Sequence, residues 1–184
     1  MTLRNFNGII LLLFAFGAVS CRSDHEDLKE SERLCVLARE NPQRGLSPLL
    51  NFIEDKQRFS VARSNGIYCL KGLDFDLGAS VIPEKLEKWL HDDLLRVAAL
   101  SLISDRPAMG RRHRAVIEGI TQSALIEKNR TVLAHAWVAL FAISDKGFHE
   151  RTLASEDFNK AAKFYSPNDG LETLVSRVRS FESK

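Results

Sequence analysis

RTVLAHAWVALFAISD, residues 130–145, is apolar on nearly every side when wound as a helix. A helix without a polar face is buried among other elements. The spacing predicts a helix over 130–144 in the middle of the fold. Its apolar run VLAHAWVALFAI is twelve residues long and contains His135, whereas a spanning helix needs roughly 20 apolar residues. A second segment, RVAALSLISD at 96–105, aligns with AWVALFAISD at 136–145 without a gap. Ala99 matches Ala139, Leu100 matches Leu140, Ile103 matches Ile143, and both end in Ser-Asp.

The offset between the two copies is 40 residues, within the period of HEAT and armadillo helical repeats. DDLLRVAALSLISD resembles the first helix of a HEAT unit: Arg96 follows an aliphatic residue, small residues are paired, and an aspartate closes the helix. That resemblance makes Ala115 to Asn129 the second helix of the unit. The second copy has no arginine at the matching place, and no third copy follows. An irregular bundle therefore stands beside the repeat reading. Both give an all-α fold, a helical bundle or short HEAT-like α-solenoid of about 6–8 helices.

Outward from these copies the pattern remains helical. Ser23 and Glu26 form a capping-box pair, and Leu28, Leu34, Cys35, Leu37 and Ala38 recur at helical spacing until Pro42. Ser47 and Pro48 read as a cap and first-turn proline of a second helix, with Leu49, Leu50, Phe52, Ile53 and Phe59 inward. Asn65-Gly66 reads as a turn that carries Cys69 back against Cys35. Residues 72–82 suit a connector. Pro83 opens a long helical segment, bent near His91 to Asp93 and broken at RPAMG. A helix over 111–128 carries Ala115, Val116, Ile117, Ile120, Ala124 and Leu125 along one side. Beyond Gly147, ASEDFNKAAKFY and a last amphipathic segment with Leu171, Leu174, Val175, Val178 and Phe181 complete the body.

The N-terminal stretch GIILLLFAFGAVSCRSD, residues 8–24, has a different purpose. One base, Arg4, precedes about eleven apolar residues from Ile9 to Val19, and small residues follow. This is the pattern of a secretory signal. Ala18, Val19, Ser20 and Cys21 resemble the bacterial lipobox, with Ala18 standing where leucine is usual. The resemblance implies a signal over 1–20 and a lipid on Cys21, whose thiol accepts a diacylglyceryl group before cleavage. Two or three acyl chains give stable anchoring where one does not. Arg22 in place of the aspartate of inner-membrane retention signals implies the outer membrane, facing the periplasm. The alternative is a soluble secretory protein cut after Ala18 or Ser20.

About 164 residues then remain, with 25 bases against 24 acids, enough for one domain with a core. Residues 21–72 read as an N-terminal helical pair and 73–184 as the helical body, in one continuous globule. A charge balance this even gives no case for nucleic acid. Cys35 and Cys69 would meet an oxidising compartment after export. A disulfide between them closes a loop of about 35 residues, for roughly 3–4 kcal/mol by the chain-entropy relation; two independent buried thiols are the alternative. LCVLAREN and GIYCLKGLDFDLGA also resemble a family of short exported bacterial proteins with two cysteines flanking a helical segment. Leu70 and Lys71 stand between Cys69 and Gly72 where that family has a tighter step, and the resemblance implies no activity.

No metalloprotease, nucleophile-elbow, phosphate-loop or dinucleotide motif occurs, so no enzyme activity, cofactor or metal is expected. The densest basic cluster is Arg111, Arg112, His113 and Arg114 at the start of a helix, where the macrodipole prefers acids. It reads as a contact for an acidic partner or an anionic surface, against the plainer reading of a solvated face. His91, Asp92 and Asp93 splay around a helix because adjacent residues do not share a face. His135 reads as a hydrogen-bonded core histidine, and His149 with Glu150 as a polar loop. The expected function is a membrane-anchored envelope lipoprotein that acts as a helical protein-binding module. An immunity-type inhibitor of a periplasmic toxin enzyme, using the basic cluster or Asp74 and Asp76, is the alternative; a non-catalytic structural envelope protein is a third.

Overall fold

The computed structural model describes residues 23–73, 82–153 and 155–156. Among them there is no strand, and the all-α class holds. The helices are α1 (Asp24–Glu40), α2 (Pro42–Glu54), α3 (Ser60–Cys69), α4 (Ile82–His91) and α5 (Arg96–Asp105), then the single turn α6 (Pro107–Gly110). After them come α7 (Arg114–Ile126), α8 (Arg130–Ile143) and α9 (Lys146–Leu153). Short 3-10 turns at Leu70–Gly72 and Arg111–His113 extend α3 and lead into α7. Residues 74–81, which hold most of the expected connector with Asp74 and Asp76, lie outside the described residues, as do Cys21 and the expected C-terminal helices beyond 156.

α1 begins as its sequence predicts. The Ser23 hydroxyl accepts from the Glu26 backbone N–H at 3.2 Å, and the Glu26 carboxylate accepts from the Ser23 N–H at 3.3 Å. Two of the helix's orphan donors are thereby satisfied. α2 starts six residues earlier than expected. Asn41 is its cap, accepting from Arg44 N–H at 3.2 Å, Pro42 fills the first turn, and Pro48 lies inside the helix. Asn and Pro at these positions form the stronger start signal. Gly45 then brings α2 against α1, while Leu49, Leu50, Phe52 and Ile53 bury the inner face. α2 stops at Glu54, and Phe59 becomes the half-buried residue preceding α3.

Asn65-Gly66 does not turn the chain; both residues lie within α3. Ala62, Arg63, Gly66, Ile67 and Leu70 are buried at spacings of three and four, so the segment carries a helical stripe that outweighs the turn signal. A Cβ at Gly66 would lie 2.7 Å from Ile53 Cγ1. This glycine serves helix approach, not a positive φ.

Three links fix the register of α1 against α3. Asp27, 2 % exposed, accepts from the Phe59 N–H at 2.8 Å and from Arg58 Nη1 at 3.0 Å. One turn on, the Ser31 hydroxyl donates to the Ala62 carbonyl at 2.9 Å. The numbers rise together along both helices, so α1 and α3 run parallel. Asp27→Ala strands the Phe59 amide and the Arg58 guanidinium together. The expected cost is about 2–3 kcal/mol, since bonds to charged groups carry about 1.5–3 kcal/mol. Denaturant unfolding of Asp27→Ala beside Asp27→Asn measures it; equal stability of the alanine variant and wild type would overturn the assignment.

The row α3, α5, α8 forms the spine, with α1 and α2 at one end and α7 at the other. α5 and α8 make the most extensive helix pairing, so the two similar segments of the sequence lie directly against each other. α7, the expected second helix of a HEAT unit, packs chiefly on α8. The helical segment opened by Pro83 is interrupted outright at Asp92–Leu95 instead of bent, giving α4 and α5. Arg63, 4 % exposed, ties this corner down: Nε donates to the Ile53 carbonyl at 2.7 Å and Nη2 lies 3.2 Å from Asp92 Oδ2. Buried apolar residues from Leu34 to Leu140 join in one core. No described helix is long and apolar enough to cross a membrane.

Candidate functional site

The broad apolar side of α7 divides in the structure. Ile117 and Thr121 are buried, whereas Ala115, Val116, Gly119, Ile120 and Ser123, with buried Ala124, line a groove of about 650 Å³. His91, Asp93 and Arg96 form one wall, from the α4–α5 corner; Glu127, Asn129 and Val132 form the other, from the α7–α8 junction.

Both walls are held by local bonds. Arg96 Nε donates to the Leu90 carbonyl at 2.8 Å, and Nη2 lies 2.6 Å from Asp93 Oδ1. At the other end Lys128 has φ 56°, the left-handed conformation that commonly closes a helix. Asn129 N–H reaches the Ala124 carbonyl at 2.9 Å and Lys128 N–H the Leu125 carbonyl at 3.3 Å, which satisfies the end of α7 and presents Glu127 beside the groove. Asn129 Oδ1 then caps α8 by accepting from Val132 N–H at 3.2 Å. A Cβ at Gly119 would meet nothing within 4 Å. The groove is therefore open above Gly119, and exposed His91 and Glu127 both line it.

This arrangement can hold a narrow segment of another molecule, with a hydrogen-bonding imidazole on one side and a carboxylate on the other. Among the described residues no group of three or more His, Cys, Asp or Glu side chains is placed to hold a metal ion.

The basic cluster at 111–114 is dispersed. Arg111 and Arg112 are exposed, but His113 is 4 % exposed. Its Nε2 lies 3.0 Å from the Pro83 carbonyl and 3.2 Å from Arg112 Nε, between an acceptor and a donor, and serves one of them at a time. Arg114 pairs with Glu118 at 2.8 Å and lies over the Phe148 ring, 4.8 Å from its centroid. The four residues thus do not form one basic surface, because a helical start sends neighbours in different directions. Nor is His149 in a loop. It lies on α9, stacked on Phe141 with centroids 4.8 Å apart, and its Nε2 is 2.8 Å from the Phe141 carbonyl.

His135 is half-buried, and Nδ1 donates to the Thr131 carbonyl at 2.9 Å. Burial pulls its pKa below the ordinary value, with the charge of Lys71 adding a smaller push. The ring is a helix-internal group and not part of the groove.

Cys35, half-buried on α1, and Cys69, buried on α3, are free thiols. No known protein family, curated protein or solved structure matches the chain. Its chemistry has to be read from its own side chains. Sequence reasoning had Ala115 and Arg96 in view but missed the groove. The available signal was that the apolar side of α7 is wider than a single partner helix can cover, with Gly119 in its middle.

Proposed function

We propose that this chain is a bacterial envelope lipoprotein, anchored through lipid on Cys21 at the outer membrane and facing the periplasm. Its helical domain is a non-catalytic module that binds an extended segment of a protein partner. The observation that carries the binding role is the groove beside α7, where Gly119 leaves room for backbone and Glu127 and His91 both line the opening. Glu127 suits a cationic side chain or an amine on the partner; His91 suits a carbonyl or carboxylate. Arg111 and Arg112 remain available to an anionic surface, where each base contributes about 1 kcal/mol.

Gly119 supplies the test. Gly119→Leu fills the groove, and replacing a helical glycine by a better helix former does not weaken α7. The variant is expected to retain or gain thermal stability, yet to lose at least tenfold in recovery of envelope partners cross-linked to the full-length protein in cells. Unchanged recovery would sink the groove reading. The anchor is tested separately by the intact mass of membrane-extracted protein: a lipid-sized increment absent from Cys21→Ala supports it, and an unlipidated mass removes it.

A further inference from the structure

Four helices of the fold run parallel. α1 and α3 share a direction through Asp27–Phe59 and Ser31–Ala62. α3 and α5 do so because Arg63, in the first turn of α3, meets Asp92 just ahead of α5, while Lys71, past the end of α3, pairs at 2.7 Å with Asp105 at the end of α5. α5 and α8 match at both ends. Arg96 and Val132 line one groove near their starts, and Gly110 packs against Ile103 and Ile143 near their ends. The starts of α1, α3, α5 and α8 therefore lie along one edge of the domain, where Ile126 ends α7.

Five large hydrophobic side chains are exposed among the described residues, and three of them stand at this edge: Val61 at 50 %, Leu94 at 62 % and Ile126 at 81 %. Exposed aliphatic side chains gathered at one end of a domain mark a contact surface. The chain arrives from Cys21 at the same edge. Only Arg22 lies between Cys21 and Ser23, the cap of α1. Extended chain covers at most ~3.6 Å per residue, so Cys21 stays within roughly 7 Å of that cap.

Resting on the lipid-anchor reading, we propose that this edge lies on the phospholipid surface that takes up the lipid of Cys21, with Val61, Leu94 and Ile126 inserted among the head groups. A lipid at one point leaves a domain free to swing, whereas aliphatic side chains at three further points fix which side faces the bilayer. Exposed Lys56 and Lys128 belong to the same edge, and their flexible stems let the ammonium groups reach lipid phosphates. Asp24, Glu26 and Glu127, also exposed, balance them. Apolar insertion and not charge therefore holds the contact. In this orientation the groove beside α7 opens next to the bilayer, and a partner segment reaches it from the membrane surface. Arg111 and Arg112 follow Gly110 at the opposite edge, so an anionic surface that they meet belongs to another molecule.

The test places the full lipidated protein, its lipid verified by intact mass, in vesicles of phosphatidylethanolamine with a minor share of phosphatidylglycerol, made with ordinary or brominated acyl chains. Leu94→Trp and Ile126→Trp are each expected to lose about half of the added indole emission in brominated vesicles, since indoles settle at the head-group level within reach of the bromines. Gln43→Trp, exposed at the start of α2 near the far edge, is expected to change no more than wild type. In a second arm the unlipidated Cys21→Ala chain is sedimented with the same vesicles at high lipid. Val61→Ser, Leu94→Ser and Ile126→Ser combined are expected to lower its partition about tenfold, equally in low and high salt because no net charge is involved. Equal quenching at Ile126 and Gln43 overturns the proposal. Absence of quenching at Leu94 and Ile126 on bound lipidated protein also overturns it and leaves the edge to a protein partner. An unlipidated mass removes the anchor reading by itself; the edge then stands or falls on sedimentation, where equal partition of the serine variant and its parent overturns it.

Discussion

Gly45→Ala is expected to destabilise the domain by about 3 kcal/mol or more, at the upper end of what overpacking costs. A Cβ built at Gly45 lies 2.3 Å from Ala38 N, 2.4 Å from Ala38 Cα and 2.5 Å from the Leu37 carbonyl carbon. All three are backbone atoms, so no rotamer change relieves the overlap. α1 and α2 would have to separate, but Asn41 alone lies between Glu40 and Pro42. That connector also caps α2, and its N–H closes α1 on the Leu37 carbonyl at 2.8 Å. Moving the helices apart would disturb both ends. The midpoint of thermal unfolding should fall by about 10 °C for a domain of this size. Gly119→Ala is the matched control: its Cβ meets nothing, and the same substitution should stabilise by about 0.5–1 kcal/mol through helix propensity. A Gly45→Ala melting curve that overlays wild type would refute the close approach of α1 and α2.

Trp89→Ala is expected to cost about 3–5 kcal/mol, the range for removing a large buried aromatic side chain. Trp89 is 2 % exposed on α4 and belongs to the common core. α4 packs on α5, with Lys85 paired to Glu54 of α2. These attachments hold the helix in place, so it cannot collapse fully into the space an alanine leaves. The indole also separates volume from polarity. Its Nε1 is buried without a hydrogen-bond partner among the described residues, and an unpaired buried N–H is unfavourable. Trp89→Phe removes that N–H and retains much of the ring, so its cost should be about 1 kcal/mol or less. Denaturant titrations of the two variants give the comparison. A phenylalanine variant as unstable as the alanine one would mean that the indole nitrogen, and not ring volume, stabilises the site.

The legible parts of the fold depend on residues close together in sequence. Ser23 and Glu26 marked the start of α1 because a capping box is complete within four residues. The all-round apolar segment at 130–143 marked a central helix because no exposed face can be drawn on it. The matched segments at 96–105 and 136–145 pointed to related surroundings, and they pack on one another. Signals weighed without their neighbours were less reliable. Ser47-Pro48 resembled a helix start until Asn41-Pro42 proved the better one, and Asn65-Gly66 resembled a turn although it lies inside α3.

The sequence by itself determined the all-α class, the ends of α1 and α8 and the candidacy of Cys35 and Cys69 as a pair, since periodicity, caps and cysteine counts are local or compositional. Only the tertiary structure decided the groove beside α7, the dispersal of Arg111 to Arg114, and the burial of Arg63 and Asp27. Each of these depends on which helices touch and at what register. That register is set by contacts between residues about 30 positions apart, such as Asp27 with Phe59 and Ser31 with Ala62, which chain-local patterns do not encode.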